Sequence, residues 1–270
     1  MSAAGKAGRA GLPMYDFPEV AEATDGWWSG LAAAFRRAGV PGVPDRRDPA
    51  ADPATLWADP SLLFAQTCGF PLTHAFAGRL TPIGTPCYRA EGCSGPFYRS
   101  LVVVGGDRSE RTLEEFRGAT AAVNQPDSQS GWNTLAALAA PLARDGRFFG
   151  AVRLTGGHAA SLAAVAEGAA DLAAIDAVTF ALLARYRPQA VAGVRVLTVT
   201  EPAPGLPYVT RADMPEEILV RLRAGLAGAA SDPSLADVRE ALLIEGMEFL
   251  DPAAYAAIPA MAQRALVWPG

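Results

Sequence analysis

The sequence is poor in the groups that most catalytic and metal-binding sites require. Its 270 residues include one lysine, Lys6, two histidines, His74 and His158, and three cysteines. The odd number of cysteines and their spacing match no zinc site. With so few histidines, a catalytic metal is also disfavoured. We therefore expect no metal, no cofactor and no catalytic residue.

Long apolar runs and a secretory signal are also missing. No stretch of about 18 apolar residues is present, so we expect no segment to span a membrane. The N-terminal residues lack the apolar core of a signal peptide. The expected location is periplasmic if a signal was removed, and otherwise cytoplasmic. The cysteines do not decide between these two compartments. They could all be reduced thiols, or Cys93 could form a disulfide with Cys68 or Cys87, which would favour an oxidising compartment.

The charge balance and the motif content exclude several classes of protein. The net charge of −5 argues against nucleic acid as a partner. Neither a G-x-x-x-x-G-K-[ST] phosphate loop nor a G-x-G-x-x-G dinucleotide turn occurs. A G-x-S-x-G nucleophile elbow is absent as well. Half of the residues are hydrophobic, which is enough for one large core or two modest ones.

Strand and helix patterns alternate along the whole chain. This alternation predicts an α/β fold with mostly parallel sheets. In such folds ligands bind beyond the carboxyl ends of strands, where helices begin. That rule selects five loops, which contain Tyr15, Thr67, the segment 127–131, the segment 155–158, and Asp176.

The segment 124–133, NQPDSQSGWN, joins an apolar strand pattern to a helix pattern and carries no lysine or arginine. A helix N-terminus offers unpaired N–H groups and a partial positive charge, so it can hold an anion without a cationic side chain. Ser128 and Ser130 would add hydroxyl donors, and Gly131 would let the backbone approach closely. An ordinary helix cap, closed by Asp127 or Ser128, is the alternative.

The segment 155–158, TGGH, follows the same logic at a second strand-to-helix junction. His158 directly follows two glycines and could donate to an anion; a structural histidine is the alternative. Thr67 resembles these turns more weakly. Tyr15 and Tyr98 could wall a cleft, or could simply pack half-buried. Asp176 could bind a ligand donor or cap the following helix.

These motifs together resemble the phosphate/phosphonate-binding family of ABC-importer substrate-binding proteins. The resemblance rests on DSQSG, on TGGHAASLAAVAEGAADLAAID and on VRVLTVTEPAPGLPYVT, and extends from about residue 12 to residue 210. It implies the type 2 periplasmic-binding-protein fold, with two Rossmann-like lobes, mixed and mostly parallel sheets, and two crossing strands. Lobe one would hold residues 1–100 and 200–270, lobe two residues 101–199, with ligand in the interlobe cleft. The crossings would lie near RSLVVVGG and RVLTVTEP.

The resemblance also implies a set of ligand-binding residues. It assigns the oxyanion to Ser128, Gln129, Ser130 and His158, and matches Tyr15, Tyr98 and Asp176 less closely. The family's aminophosphonate binders carry an acidic residue near the return crossing, and PGLPYVT has none there. This difference disfavours a ligand that carries an amine.

The predicted function is therefore non-enzymatic capture of a small oxyanion, phosphate, phosphonate or similar, for an ABC importer. The expected partners are the ligand and the membrane subunits of the transporter, and we expect a monomer. Two alternatives remain open. One is a cytoplasmic enzyme on the same fold, similar to those of the thiamine-pyrimidine or menaquinone pathways. The other is a ligand-sensing module.

Overall fold

The computed structural model describes residues 7–49 and 52–268. Within these ranges strands and helices alternate for most of the chain. The strands, in chain order, are β1 (Arg9–Gly11), β2 (Leu62–Gln66), β3 (Leu80–Tyr88), β4 (Cys93–Ser94), β5 (Phe97–Tyr98), β6 (Ser100–Gly105), β7 (Thr120–Val123), β8 (Ala151–Leu154), β9 (Leu172–Asp176), β10 (Val194–Val199), β11 (Ala203–Pro204), β12 (Tyr208–Arg211) and β13 (Ile244–Glu248).

The α-helices, in chain order, are α1 (Ala21–Arg37), α2 (Pro53–Trp57), α3 (Gly69–Thr73), α4 (Thr134–Ala139), α5 (His158–Ala166), α6 (Ala177–Tyr186), α7 (Glu216–Ser231), α8 (Ala236–Ala241) and α9 (Ala257–Arg264). A π-helical turn, Gln129–Asn133, directly precedes α4. The predicted α/β class is confirmed.

The chain divides into two compact units. The first unit comprises the chain up to Arg89 together with Gly205–Ala254, and the second unit comprises Ala90–Pro204 together with the chain from Tyr255 onward. The predicted boundaries at 100 and 200 therefore lie within the second unit. This division also differs from the predicted lobes at the C-terminus, because it groups the described residues from Tyr255 onward with the second unit.

The first unit is built on a five-stranded sheet in the order β1-β2-β12-β3-β13. Helix α1 packs on this sheet and places Trp28 and Phe35 against Phe64 of β2, with their ring centroids 5.8 and 5.3 Å from that of Phe64. The helix ends at Arg37, and Gly39 follows it with a φ of 78°, which favours glycine over any other residue. Burial of these aromatic rings anchors α1 to the sheet.

The second unit contains a five-stranded sheet in the order β10-β6-β9-β7-β8 and a three-stranded sheet in the order β11-β5-β4. The five-stranded sheet is mixed: β8, β7 and β9 are parallel, whereas β6 and β10 run antiparallel to their neighbours. Its core includes Val102, Phe116, Trp132, Leu135 and Phe148. Strands β6 and β10, which lie in RSLVVVGG and RVLTVTEP, pair with each other in this sheet. The chain passes from one unit to the other at 89/90 and at 204/205, close to these two segments.

Specific contacts explain why the C-terminal segment belongs to the second unit. Helix α9 packs on α4, and Met261 accepts a hydrogen bond from the Gln129 side chain at 3.3 Å. The backbone N–H of Leu266 donates to the carbonyl of Ala136 at 3.2 Å. Arg264 forms a two-pronged ion pair with Glu201, at 2.6 and 2.7 Å. The sequence pattern predicts a last helix but not which core that helix covers.

Two further expectations can be checked against the described residues. None of the helices in that part of the chain is long and apolar enough to cross a membrane. Cys68, Cys87 and Cys93 form no disulfide. Burial raises the pKa of the Cys87 thiol to about 11, so this cysteine remains protonated near neutral pH.

The predicted mixture of strand directions is confirmed, although antiparallel pairs outnumber parallel ones among the described strands. Among the strands that the structure describes in the first unit, β1 and β2 are the one parallel pair. Strands β12 and β13 return from distant parts of the chain and pair antiparallel with their neighbours. Alternating strand and helix patterns do not distinguish these returning strands from parallel ones.

Candidate functional site

One edge of the sheet in the second unit collects the polar turns that the sequence predicts. The parallel strands β7, β8 and β9 end there, at Val123, Leu154 and Asp176. Ser100 begins the antiparallel strand β6 and pairs directly with Asp176. Because parallel strands direct their carboxyl ends to the same edge, the two turns that follow β7 and β8 are neighbours.

The first of these turns, Ser128–Gly131, is called the serine turn below. Ser128 caps it: its Oγ accepts the N–H of Gly131 at 3.0 Å, and its carbonyl accepts the N–H groups of Trp132 and Asn133. In the described part of the chain, the N–H groups of Gln129 and Ser130 have no acceptor. The serine turn therefore presents two unpaired backbone donors at the beginning of a helix.

The second turn begins α5 and meets the serine turn through a side-chain hydrogen bond. Ser130 Oγ lies 2.8 Å from His158 Nε2, and Ser128 Oγ lies 3.5 Å from Ser130 Oγ. The first intrahelical bond of α5 runs from the N–H of Ser161 to the carbonyl of Gly157. The N–H groups that precede Ser161 in this helix are left for other acceptors. Two helix N-termini thus converge on one pair of side chains.

His158 is neutral in this setting. Burial lowers its pKa from 6.5 to about 4, and the backbone carbonyl of Ala174 offsets only part of that shift. The residue as a whole is only partly buried, but its Nδ1 atom is inaccessible and makes no hydrogen bond of good geometry to the described residues. A neutral imidazole can either donate or accept at Nε2, so the pair with Ser130 can reverse its direction.

Gln129 is placed differently from the other residues of the serine turn. Its side chain is fully buried and points to α9, where Nε2 donates to the sulfur of Met261. Its Oε1 accepts the Asn133 amide at 2.7 Å. The side chain therefore holds the turn to the C-terminal helix. Ligand contact by Gln129 stays a prediction.

Asp176 and Tyr98 lie in the second unit, and each has a structural role there. Asp176 caps α6, because its Oδ1 accepts the N–H of Thr179 at 2.9 Å. This is the capping alternative that the sequence left open. Tyr98 lies on β5, where it pairs with Cys93 and Ala203 and is almost fully buried. Ligand contact by either side chain stays a prediction.

Tyr15 and Thr67 belong to the first unit. Tyr15 packs edge-on against Tyr88, with 5.3 Å between ring centroids, and lines a cavity of about 20 Å³, which is room for one water molecule. Thr67 is fully buried and its Oγ1 donates to the carbonyl of Cys68 at 3.2 Å. Ligand contact by these two residues also stays a prediction.

Three polar residues near the serine turn were not selected from the sequence. Thr134 Oγ1 lies 2.9 Å from the carbonyl of Ser130 and 3.3 Å from Ser100 Oγ. Asn124 directly follows β7, and its Oδ1 is buried. Asn124 stands in the polar segment that the sequence analysis singled out. Ser100 lies within an apolar strand pattern that gives no sign of a site.

The arrangement is suited to holding an anion with neutral groups. It offers hydroxyls from two buried serines, an uncharged imidazole and unpaired backbone N–H groups. Such fixed dipoles bind an oxyanion at a helix start without the flexible charge of a lysine. No group of three or more potential metal ligands occurs in the described ranges. The cluster therefore has the donors that an anion site needs, and it holds them on one edge of an α/β sheet.

A comparison of sequence families makes the assignment specific. The profile of the family described as "ABC transporter, phosphonate, periplasmic substrate-binding protein" matches residues 64–255, which is more than half of the chain. The chain belongs to this family. The predicted solute-binding function for an ABC importer is thereby confirmed, and the enzyme alternative has no support. None of the curated proteins matches the chain.

Solved structures with the same fold agree with the family. A phosphonate-transporter binding protein from Pseudomonas aeruginosa has a TM-score of 0.73 at 17% identity, over 95% of this chain and 85% of its own. The Prochlorococcus marinus (MIT 9301) PhnD1 protein, in complex with methylphosphonate, has a TM-score of 0.74 at 14% identity, over 96% and 98%. A Xanthomonas citri protein bound to chloride has a TM-score of 0.72 at 17% identity, over 96% of both chains. At these identities the likeness shows the fold alone.

Proposed function

We propose that the chain binds a small phosphorus oxyanion, a phosphonate or phosphate, at the serine turn and the start of α5. The observation that carries this proposal is the 2.8 Å contact between Ser130 Oγ and His158 Nε2. This contact places the N-termini of two helical segments next to each other. The backbone N–H groups of Gln129 and Ser130 there have no acceptor among the described residues. Ser128, Ser130 and His158 would donate to the oxygens of the ligand, with the backbone N–H groups of Gln129 and Ser130.

The choice of a phosphorus oxyanion rests on the family and on the kind of donors. The family is one of phosphonate-transporter binding proteins, and one protein of similar fold holds methylphosphonate. A tetrahedral anion offers several acceptor oxygens, which suits donors that come from two turns. An anion with fewer oxygens would leave some of these buried donors unpaired, at a cost of about 1–3 kcal/mol for each.

The family also bears on partners and location. Its members are periplasmic substrate-binding proteins of ABC transporters, so membrane subunits of a transporter are the expected partners. We propose that this chain acts in the periplasm and delivers its ligand to such subunits. We propose further that it acts as a monomer, because both halves of the proposed oxyanion site come from one unit of one chain.

A thermal-shift panel tests the proposal. Phosphate, phosphite, methylphosphonate, sulfate and methanesulfonate are each added at millimolar concentration to the wild type and to the double variant Ser128→Ala/Ser130→Ala. A micromolar ligand at millimolar concentration should add about 4 kcal/mol of stability to the wild type. The double variant should lose this gain while remaining folded by circular dichroism.

A matched control separates loss of the site from loss of two serine hydroxyls in general. Ser29 and Ser231 are exposed, and each donates to a carbonyl four residues earlier in its own helix. The variant Ser29→Ala/Ser231→Ala should keep the full ligand-induced stabilisation. The proposal is refuted if no phosphorus oxyanion stabilises the wild type, or if both double variants respond like the wild type.

A further inference from the structure

One buried hydrogen-bond acceptor beside the serine turn has no donor among the described residues. The Oδ1 atom of Asn124 is inaccessible to solvent, and no donor among the described residues reaches it. Buried polar groups are nearly always paired, so an unpaired one needs an explanation such as an absent water, ion or ligand. The backbone of Asn124 is fixed in place, because its carbonyl accepts the N–H of Gly156 at 3.0 Å. Asn124 therefore joins the serine turn to the turn before α5.

The geometry at Gly131 shows where this acceptor lies. A methyl group added to Gly131 would lie 1.7 Å from Asn124 Oδ1 and 3.2 Å from Ser128 Oγ. The carboxamide oxygen therefore occupies the space that the missing side chain of Gly131 leaves. It therefore packs against the serine turn, and the Ser128 hydroxyl borders the same space.

An acceptor in this position has a chemical consequence. The other groups of the site can donate hydrogen bonds, whereas an amide oxygen can only accept them. A fully deprotonated anion brings only acceptors and would leave the Asn124 oxygen unpaired. An anion that keeps one hydroxyl can donate to Asn124 and accept from the remaining groups.

From this geometry we propose that Asn124 selects an oxyanion that carries a P–OH group, such as a phosphonate monoanion, over the sulfonate of the same shape. This inference rests on the proposed function, because it concerns the same site. Phosphorus oxyanions exchange a proton near neutral pH, as phosphate monoesters do with a pKa of about 6. Sulfonates and sulfate keep no proton there. A site that pairs with a hydroxyl rejects the analogue that lacks it.

Methylphosphonate and methanesulfonate test the proposal directly. At about pH 6 both are largely monoanions of the same shape and differ by one hydroxyl proton. Calorimetric titrations of the wild type should give a dissociation constant at least tenfold lower for methylphosphonate. In Asn124→Ala that ratio should fall towards one, chiefly because the phosphonate binds more weakly. Gln125→Ala, which removes the exposed neighbouring amide, should leave the ratio unchanged.

A second variant tests whether the side chain acts as an acceptor. Aspartate has nearly the shape of asparagine but carries acceptors on both oxygens. Asn124→Asp should therefore keep or increase the preference for the phosphonate, even where its charge weakens both ligands. Thermal denaturation of each variant checks that the fold is retained.

The outcomes separate this inference from the proposed function. If the wild type binds both ligands equally, or if Asn124→Ala keeps the wild-type ratio, the role of Asn124 is overturned while oxyanion binding stands. If Asn124→Ala and Asn124→Asp both lose the preference, the amide nitrogen rather than the oxygen faces the ligand, and the inference is wrong. If no phosphorus oxyanion binds the wild type, both proposals fail.

Discussion

Replacing Gly131 by alanine is the sharpest steric test of the serine turn. The new methyl group would lie 1.7 Å from Asn124 Oδ1 and 2.8 Å from Asn124 Cγ, far inside the separation of about 3.5 Å at which atoms normally pack. Gly131 is not among the glycines with positive φ, so alanine fits its backbone. The Asn124 oxygen would therefore have to move by about 1.5–2 Å, which is the difference between the 1.7 Å contact and the normal packing distance of about 3.5 Å.

The magnitude follows from what has to move. Inserting a methyl group into packed structure typically costs about 1–3 kcal/mol. Because the obstacle is the end of a side chain rather than backbone, we expect the lower part of this range. Urea denaturation should thus show Gly131→Ala to be about 1 kcal/mol less stable than the wild type. Calorimetric titration should show weaker methylphosphonate binding, because Asn124 and the hydroxyl of Ser128 lose their positions.

A control glycine predicts the opposite sign. Gly228 lies within α7, and a methyl group added there would meet no atom within 4 Å. Gly228→Ala should stabilise the protein by about 0.5–1 kcal/mol, because alanine loses less backbone entropy in a helix. If Gly131→Ala is as stable as Gly228→Ala and binds methylphosphonate like the wild type, the described packing of the serine turn is wrong.

Three other predictions concern the second unit. Because the pKa of His158 is lowered from 6.5 to about 4, the unfolded chain binds a proton near pH 5 that the folded chain does not. From pH 7 to pH 5 the free energy of unfolding should therefore fall by about 2 kcal/mol more in the wild type than in His158→Gln. Equal losses in urea titrations of the two proteins would contradict this. Gln129→Ala should cost about 1–3 kcal/mol in urea denaturation, because the Asn133 amide loses its nearer acceptor and keeps only the Ile258 carbonyl at 3.4 Å. If the side chain is structural, oxyanion affinity should be unchanged, whereas lost binding would support a ligand role for it. The side chains of the ion pair between Arg264 and Glu201 are about half exposed, so Glu201→Gln should lower the free energy of unfolding by at most about 1 kcal/mol, and by less at high salt. A larger loss of stability in thermal melts would contradict this.

The sequence predicts the serine turn and His158 because both follow local rules. A strand pattern followed by small polar residues and then a helix pattern marks a helix start, and the structure has Ser128 capping the turn. The approach of Ser130 to His158 depends on β7 and β8 being adjacent and parallel, which the order of elements suggests but does not fix. Local signals thus indicate each half of the proposed site, and the sheet brings them together.

Other features depend on contacts that local patterns do not contain. The side-chain amide of Gln129 donates to the sulfur of Met261, 132 residues further along the chain, and no local pattern indicates this contact. The same contact carries α9 into the second unit. Asn124 is notable only after the structure shows that its oxygen lies in the space beside Gly131 and has no donor. Neither result follows from periodicity or residue type.

The central claim is that two neutral turns of the second unit hold a phosphorus oxyanion. Isothermal titration of methylphosphonate into the wild type and into Ser128→Ala/Ser130→Ala tests this most directly. In the wild type we predict one site per chain with a micromolar or lower dissociation constant. In the double variant binding should be at least a hundredfold weaker, because each lost buried hydrogen bond costs about 1–3 kcal/mol. Equal affinities in the two proteins would contradict the account.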